Sequence, residues 1–207
     1  MIAIIDYGMG NIHSVKKALE VMGAETLVTN KPQEIKKCEK LVLPGVGAFG
    51  DAMEELKKQG LVAAIKEDIR QKKIFLGICL GMQLLFEYSE ESPGVLGLGI
   101  LKGGVKRFPS RPGLKVPHMG WNQLHQVTRS QRMLECPLLK GVKDNVFVYF
   151  CHSYYPVPEE LEVSAAVTDY GEDFTSMVWK DTVFGAQFHP EKSQTVGLEI
   201  LRNFVEL

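Results

Sequence analysis

The first ninety residues repeat one pattern, in which a short apolar run reaches a glycine and an amphipathic segment follows. The run "IAIIDYG" precedes "NIHSVKKALEVMG", where Ile12, Val15, Leu19 and Met22 recur at helical spacing. "KLVLPGVGAFG" precedes the helical segments "AMEELKKQG", with Asp51 as its expected N-cap, and "LVAAIKEDIRQKK"; "IFLGICLGMQLLFE" begins a third unit. The pattern predicts an α/β fold, with a mostly parallel central sheet, helices on both faces and ligands at the strand carboxyl ends.

The second half of the chain predicts further strands. Between Gly94 and Arg129, glycine and proline are frequent and helical periodicity is lost, which favours short strands and loops. Successive strands are predicted for "NVFVYFCHSYYPV", "LEVSAAVTDYG", "FTSMVWK" and "TVFGAQFHP", and an amphipathic helix for "TVGLEILRNFVEL". No repeat or linker divides the 207 residues, of which 45% are hydrophobic, so we expect a single domain over 1–207.

The net charge, the first apolar run and an incomplete glycine motif argue against several function classes. A formal net charge of -1 provides no basic field for nucleic acid or a membrane surface. The initial apolar run "MIAII" is too short for a signal peptide or a spanning helix, so we expect a cytoplasmic protein. The dinucleotide fingerprint is incomplete at "GMGN", because His13 occupies the third glycine position. We therefore expect no nucleotide cofactor.

Cys79 lies between Gly77 and Gly81, where the third predicted strand meets its helix. G-x-C-x-G matches the layout of a nucleophile elbow, in which a sharp turn holds the nucleophile in a strained conformation. The helix N-terminus would stabilise a thiolate, and the Leu80 amide could face a developing oxyanion. On its own, the pattern fits equally well a buried cysteine beside glycines that permit close packing.

A cysteine nucleophile needs a base, and His189 in "FGAQFHPEKS" is the strongest candidate. In an extended chain Glu191 projects to the same side, where its carboxylate can accept a hydrogen bond from one imidazole nitrogen. Without the elbow in the same chain, this pair would be better interpreted as a solvated histidine and glutamate at a strand end. His152 is the competing base, and its neighbour Cys151, without flanking glycines, is interpreted as a core thiol.

Metal binding is not predicted. The remaining histidines, His13, His118 and His125, have no ligand-like spacing to one another or to acidic residues. The cysteines are far apart and form no C-x-x-C pair, so they are interpreted as reduced thiols; they are Cys38, Cys79, Cys136 and Cys151.

Three motifs, "PGVGAFG", "GICLGMQLLFE" and "FHPEKS", occur in an order and separation that resemble the class I (triad) glutamine amidotransferases. The resemblance covers essentially the whole chain. "IDYGMGNIHSV", "PHMGWN" and "CHSYY" resemble one subtype, the glutaminase subunits of imidazole glycerol phosphate synthases. Glutaminases of other pathways typically carry a Gly-Gly oxyanion segment, where this chain has Pro44-Gly45-Val46-Gly47. The family fold combines a mostly parallel sheet with additional antiparallel strands in the second half.

The resemblance implies a complete glutaminase site without a metal or cofactor. Cys79 would attack the side-chain amide of L-glutamine, His189 would transfer protons, and Glu191 would hold the imidazole. The Leu80 amide and an amide at Val46 or Gly47 would meet the oxyanion. The residues implied in glutamine binding are Gly47, Gln83, Ser153 and Tyr154, for which a turn glycine, a solvated helix residue and ordinary strand residues are the alternatives.

The resemblance also implies a partner, a (β/α)8-barrel cyclase that forms a heterodimer with the glutaminase and receives ammonia internally. The segments implied at the interface are Gly10 and Asn11, Met119 and Trp121, Tyr149, and Lys192. A core aromatic at Trp121 and a solvated cation at Lys192 fit the sequence equally well. Alternative functions are a glutaminase subunit of another amidotransferase, a different cysteine hydrolase of this fold and a catalytically silent binding subunit.

Overall fold

A computed structural model describes residues 1–127 and 135–207. The helices are α1 (Ile12–Val21), α2 (Pro32–Ile35), α3 (Phe49–Lys58), α4 (Leu61–Arg70), α5 (Leu80–Gln83) and α6 (Gln194–Glu206). The strands are β1 (Ile2–Ile5), β2 (Thr26–Thr29), β3 (Lys40–Gly45), β4 (Ile74–Cys79), β5 (Tyr88–Ser89), β6 (Gly103–Arg107), β7 (His118–Gln126), β8 (Val146–His152), β9 (Tyr154–Pro158), β10 (Ser164–Asp169), β11 (Asp173–Lys180) and β12 (Val183–Ala186). Short 3-10 turns are formed by Pro137–Leu139, Leu161–Val163 and Pro190–Lys192.

Within the described ranges, nine strands form one sheet in the order β2-β1-β3-β4-β12-β11-β10-β7-β8. Strands β2, β1, β3, β4 and β12 run parallel, whereas β11, β10, β7 and β8 pair antiparallel. A smaller sheet joins β5, β6 and β9. The predicted α/β fold, parallel in its first half and antiparallel later, is confirmed.

The alternation of side chains along the parallel strands divides the core between two faces. Ile2, Ile4 and Leu76 belong to one buried cluster, which also receives residues of α1 and α6. Ile5 and Phe75 belong to the other, which receives residues of α3 and α4. Because strands buried on both faces need apolar residues at every position, they appear in the sequence as continuous apolar runs.

Two predicted elements differ from the structure, and two observed elements were not predicted. The helix expected after Cys79 is the single turn α5, and the segment predicted as one strand at "NVFVYFCHSYYPV" is two strands in different sheets, separated at Ser153. Strand β2 and helix α2 were absent from the prediction because their short segments carry no clear periodicity. The end of the stretch Gly94–Arg129, at positions 128 and 129, lies outside the described residues.

The prediction that Asp51 caps α3 is wrong, because the helix begins two residues earlier, at Phe49. The first backbone amides of α3 instead donate to side chains that follow the third strand–helix unit in the sequence. The Glu91 carboxylate accepts from the Phe49 amide at 2.7 Å, and the Ser92 hydroxyl accepts from the Gly50 amide at 2.9 Å. Since these acceptors are distant in sequence, a search for a local cap could not find them.

The fold gathers the chemically interesting segments at the carboxyl ends of the parallel strands. Gly10 follows β1, the "PGVG" segment ends β3, Cys79 ends β4, and His189 follows β12. Among the residues that the structure describes, no helix is long and apolar enough to cross a membrane, and no group of three or more histidine, cysteine or acidic residues could hold a metal ion.

Candidate active site

Cys79 occupies a strained backbone conformation at the end of β4. Its φ of 53° and ψ of -109° lie in a region that residues with a Cβ rarely adopt, and such strain clusters at functional sites. The residue is only 6% exposed, yet it lines a cavity. This geometry is that of the predicted nucleophile elbow.

The two flanking glycines permit backbone contacts that a side chain would prevent. A Cβ at Gly81 would overlap the Leu43 carbonyl oxygen in β3, and a Cβ at Gly77 would come within 2.5 Å of the Gly81 carbonyl oxygen. The close packing of backbones and the sharp turn of the elbow therefore both require glycine at positions 77 and 81. Because α5 is a single turn, its macrodipole is smaller than that of the longer helix predicted from the sequence.

His189 and Glu191 form a buried pair. Nδ1 of His189 lies 2.9 Å from Oε1 of Glu191, and the Glu191 side chain is almost completely enclosed. The contact does not arise from the extended alternation that was predicted, because Pro190–Lys192 forms a 3-10 turn that brings the carboxylate back to the ring. Burial opposes the charged imidazolium, but interactions with Cys79 and Glu191 outweigh it and raise the pKa of His189 to about 10.

Gln187 is a site residue that the sequence interpretation missed. It is fully buried, and its Nε2 donates to Sγ of Cys79 at 3.7 Å. Its Oε1 accepts from Nε2 of Gln83 at 3.0 Å, and the same Gln83 nitrogen donates to the Tyr154 carbonyl at 2.9 Å. The available signal in the sequence was the polar side chain of Gln187, two residues before His189 in the otherwise apolar segment "VFGAQF".

A cavity of about 310 Å³ opens beside Cys79. Its lining includes all the residues that were implied in oxyanion and glutamine binding; they are Val46, Gly47, Leu80, Gln83, Ser153 and Tyr154. His189 and Lys192 also line it. The structure therefore brings the predicted nucleophile, base and substrate contacts to one concave site, as is typical of small-molecule pockets.

The "PGVG" segment approaches the turn after β1. The Val46 amide donates to the Met9 carbonyl at 3.4 Å, and Gly47 has a φ of 94°. Gly10 lies against Pro44, so the Gly10–Asn11 turn borders this segment. In this conformation the Val46 amide is already paired with a backbone carbonyl.

Four of the predicted partner residues form one cluster, which we call the β7–β8 aromatic patch and define as Met119, Trp121, Tyr149 and Lys192. Met119 and Trp121 are 62% and 46% exposed. Trp121 meets the Tyr149 ring edge-on at 6.0 Å, and Nζ of Lys192 lies 5.9 Å from the centre of that ring. Trp121 is therefore an exposed residue and not part of the core.

The interpretation of Cys151 as a core thiol is wrong. On β8 the side chains of Val148, Phe150 and His152 are buried in alternation, so Cys151 projects to the opposite face and lines the cavity. His152 is nevertheless a poor alternative base. Its Nδ1 bonds the Tyr154 carbonyl at 2.8 Å and its Nε2 lies 3.1 Å from Nδ1 of His118, so both of its nitrogens are occupied.

The His118–His152 pair predicts a steep loss of stability in mild acid. Burial lowers the pKa of His118 to about 4 and that of His152 to about 3, whereas both would titrate near 6.5 in the unfolded chain. As pH falls below 6.5, the unfolded state therefore takes up protons first and is favoured. At about 1.4 kcal/mol per proton and pH unit, we expect the pair to remove about 3 kcal/mol of unfolding free energy between pH 6.5 and 5.

Urea unfolding measured across this pH range would test the expectation. His189 adds only a small opposing contribution to the slope, because it stays protonated in the folded state throughout this range and the unfolded chain also protonates it as pH falls below 6.5. In His152→Gln one of the two titrating groups is absent, so the slope should fall by about half. A slope that does not change in this variant would contradict a buried neutral pair.

A family model and individual relatives of known name indicate the same family for this chain. A family model described as "Glutamine amidotransferase class-I" matches residues 3–207. The imidazole glycerol phosphate synthase subunit HisH of Thermosynechococcus vestitus is 51% identical over 207 residues, which are 100% of this chain and 96% of that protein. The subunit of the same name from Bacillus cereus is 52% identical over 205 residues, which are 99% of this chain and 93% of that protein.

Solved structures of lower identity share the fold. One described as a glutamine amidotransferase superposes with a TM-score of 0.73 at 19% identity and covers 99% of this chain and 97% of its own. PurLQS from Thermotoga maritima superposes with a TM-score of 0.71 at 20% identity, with coverage of 99% and 95%.

Proposed function

The chain belongs to the class I glutamine amidotransferase family, and we propose that it is the glutaminase subunit of an imidazole glycerol phosphate synthase, which acts in histidine biosynthesis. Curated relatives at about half identity over the whole chain support the assignment. The observation that carries the chemistry is the strained Cys79 in the cavity that His189 also lines, with Glu191 bonded to His189.

In the proposed reaction, the Cys79 thiolate attacks the side-chain carbonyl carbon of glutamine. The carbonyl oxygen then carries the negative charge, which the amide of Leu80 and an amide at Val46 or Gly47 would stabilise. When the tetrahedral intermediate collapses, the C–N bond breaks and His189 gives its proton to the departing nitrogen, releasing ammonia. A thioester between the glutamyl group and Sγ remains.

Water completes the cycle. Neutral His189 takes a proton from a water molecule, whose oxygen attacks the thioester carbonyl, and the collapse expels the Cys79 thiolate. Glutamate leaves, and the protonated imidazole is restored beside the thiolate. Glu191 stabilises the imidazolium and holds its ring orientation through the 2.9 Å contact at Nδ1.

Glutamine recognition is proposed for the part of the cavity wall that Gly47, Gln83, Ser153 and Tyr154 form. Gln83 donates to the Tyr154 carbonyl and to Gln187, so its amide is oriented before any substrate enters. The backbone at Ser153 and Tyr154 and the loop at Gly47 would hold the α-amino and α-carboxylate groups. Val46 would contribute after the loop reorients, because its amide is paired with Met9 here.

The proposed partner is a (β/α)8-barrel cyclase in a cytoplasmic heterodimer, with lyase chemistry on the cyclase and ammonia passed between the subunits. The cyclase would combine ammonia with its ribonucleotide substrate to form imidazole glycerol phosphate and aminoimidazole-carboxamide ribonucleotide. The β7–β8 aromatic patch supports this docking site, because exposed aromatics with an adjacent cation are typical interface anchors. Gly10 and Asn11 would extend the contact across the cavity mouth.

Glutamine hydrolysis measured with and without the cyclase encoded in the same genome tests this function. We expect glutaminase activity to rise on addition of the cyclase and its nucleotide ligand, because the paired Val46 amide leaves the oxyanion donors incomplete in the isolated chain. A fully active isolated chain that is indifferent to the cyclase would contradict the proposed coupling.

Trp121→Ala is the matched variant for the docking site. Loss of a buried aromatic anchor typically costs about 2 kcal/mol or more, so the Kd for the cyclase should rise about 30-fold in a titration. The control is Trp179→Ala, because that second tryptophan stacks on Phe184 and donates to the Asp181 carbonyl, away from the aromatic patch. Equal affinities of the two variants for the cyclase would show that Trp121 is not part of the interface.

A further inference from the structure

A continuous series of hydrogen bonds runs from strand β7 to the nucleophile. Nδ2 of Asn122 lies 3.3 Å from Nε2 of His118, and Nδ1 of His118 lies 3.1 Å from Nε2 of His152. Nδ1 of His152 lies 2.8 Å from the Tyr154 carbonyl oxygen. The same oxygen accepts from Gln83, which bonds Gln187, which in turn donates to Sγ of Cys79.

The two ends of this series determine the protonation of both histidines. The Tyr154 carbonyl can only accept, so His152 carries its proton on Nδ1 and presents a bare Nε2 to His118. His118 must then donate from Nδ1 and accept at Nε2 from Asn122. The Asn122 orientation is independently defined, because its Oδ1 accepts from the Gln123 amide and its Nδ2 donates to the Asp169 carbonyl.

The segment held by His152 is where the chain crosses between the two sheets. His152 ends β8 and Tyr154 begins β9, so Ser153 is the crossing residue. The Ser153 carbonyl accepts from the Phe108 amide at 3.0 Å, and the Tyr154 carbonyl accepts from His152 and Gln83. With both carbonyls bonded, the orientation of both peptide planes at the cavity wall is defined.

We propose that His152, supported by His118, is a positioning residue for glutamine binding: its Nδ1 donor holds the Ser153–Tyr154 wall in the orientation that receives the substrate. This inference rests on the proposed glutaminase function and assigns to the buried pair a role beyond packing. The aromatic rings of Phe150 and Tyr170, which stack on His118, keep the pair in place.

The expected effect is on KM. The wall contacts the parts of glutamine that do not react, and such contacts stabilise the ground state and the transition state alike. Loss of the donor should therefore raise KM while kcat changes little. One neutral hydrogen bond is typically worth enough for a change of about 3- to 10-fold.

Two substitutions of His152 separate this role from packing. In His152→Asn the side-chain amide nitrogen can occupy the position of Nδ1 and still donate to Tyr154, whereas in His152→Gln the amide lies near Nε2 and the donor is lost. We expect a glutamine KM within about twofold of wild type for Asn and about 3- to 10-fold higher for Gln. A packing role predicts the reverse order, because asparagine leaves the larger cavity.

The measurements are steady-state glutaminase kinetics of the complex with its cyclase and, separately, the ¹⁵N shifts of the histidine ring nitrogens. Wild-type His152 should show a protonated Nδ1 and a bare Nε2. Equal KM values for both variants, a larger defect in Asn, or the opposite tautomer would overturn the inference. If the wild-type complex does not hydrolyse glutamine, the proposed function fails, and the ring shifts still decide whether the hydrogen-bond series exists.

Discussion

Cys79→Ala is expected to abolish glutamine-dependent synthesis by the complex and to leave ammonia-dependent synthesis intact. Without Sγ no thioester can form, and the loss of a covalent nucleophile typically lowers kcat by about 10,000-fold or more. Ammonia added to the solution enters the reaction after this step, so the cyclase does not need Cys79. Product formation measured with each nitrogen source in turn separates the two activities.

Cys151→Ala is the matched control, because Cys151 is the other thiol that lines the cavity. It lies on the regular strand β8, whereas Cys79 has the strained backbone of an elbow. The control should retain glutamine-dependent synthesis, and a thiol-reactive glutamine analogue should label Cys79 in it. Labelling of Cys151 in the wild-type chain, or equal loss of both activities in Cys79→Ala, would refute the choice of nucleophile.

His189→Ala should lower glutamine-dependent turnover by a comparable factor. In the proposed mechanism the variant loses the group that protonates ammonia and activates water, and residues that act as a unit typically each cost about 10,000-fold when removed singly. Because they act in one step, the double variant with Cys79→Ala should be no slower than either single variant. Glutamate release in single and double variants measures this lack of additivity.

A second readout of His189 does not require turnover. In the proposed mechanism the His189 imidazolium stabilises the Cys79 thiolate, so alkylation of Cys79 by iodoacetamide near pH 7 should be slower in His189→Ala. His125→Ala serves as the control, since His125 lies on β7 and does not line the cavity. If His125→Ala is as slow as His189→Ala, or if His189→Ala is alkylated at the wild-type rate, His189 does not support the thiolate.

Features that depend on residues close together in the sequence could be predicted from local patterns alone. The continuous apolar runs predicted buried parallel strands, because a strand covered on both faces has no polar side. The elbow at Cys79 was readable because close packing admits only glycine at positions 77 and 81. The motif order then indicated the family, and the comparisons confirmed it.

Several site features could not be read in this way, because their partners are far apart in sequence. The start of α3 depends on Glu91 and Ser92, and the role of Gln187 is visible only beside Gln83 and Cys79. Cys151 was interpreted as a core residue because it has no flanking glycines and no nearby carboxylate, and only the burial pattern and pairing of β8 showed which face of the strand is buried.

The sequence by itself determined the α/β class, the elbow, the nucleophile candidate and the family, since these depend on residue spacing within elements and on the order of motifs along the chain. Only the tertiary structure decided which histidine faces Cys79 and which is enclosed, with both ring nitrogens bonded, between β8 and β9. Hydrogen bonds and burial depend on which groups are close in space, and the crossing at Ser153 brings together residues from strands β4, β7, β8 and β9 and from helix α5, several of which are far apart along the chain.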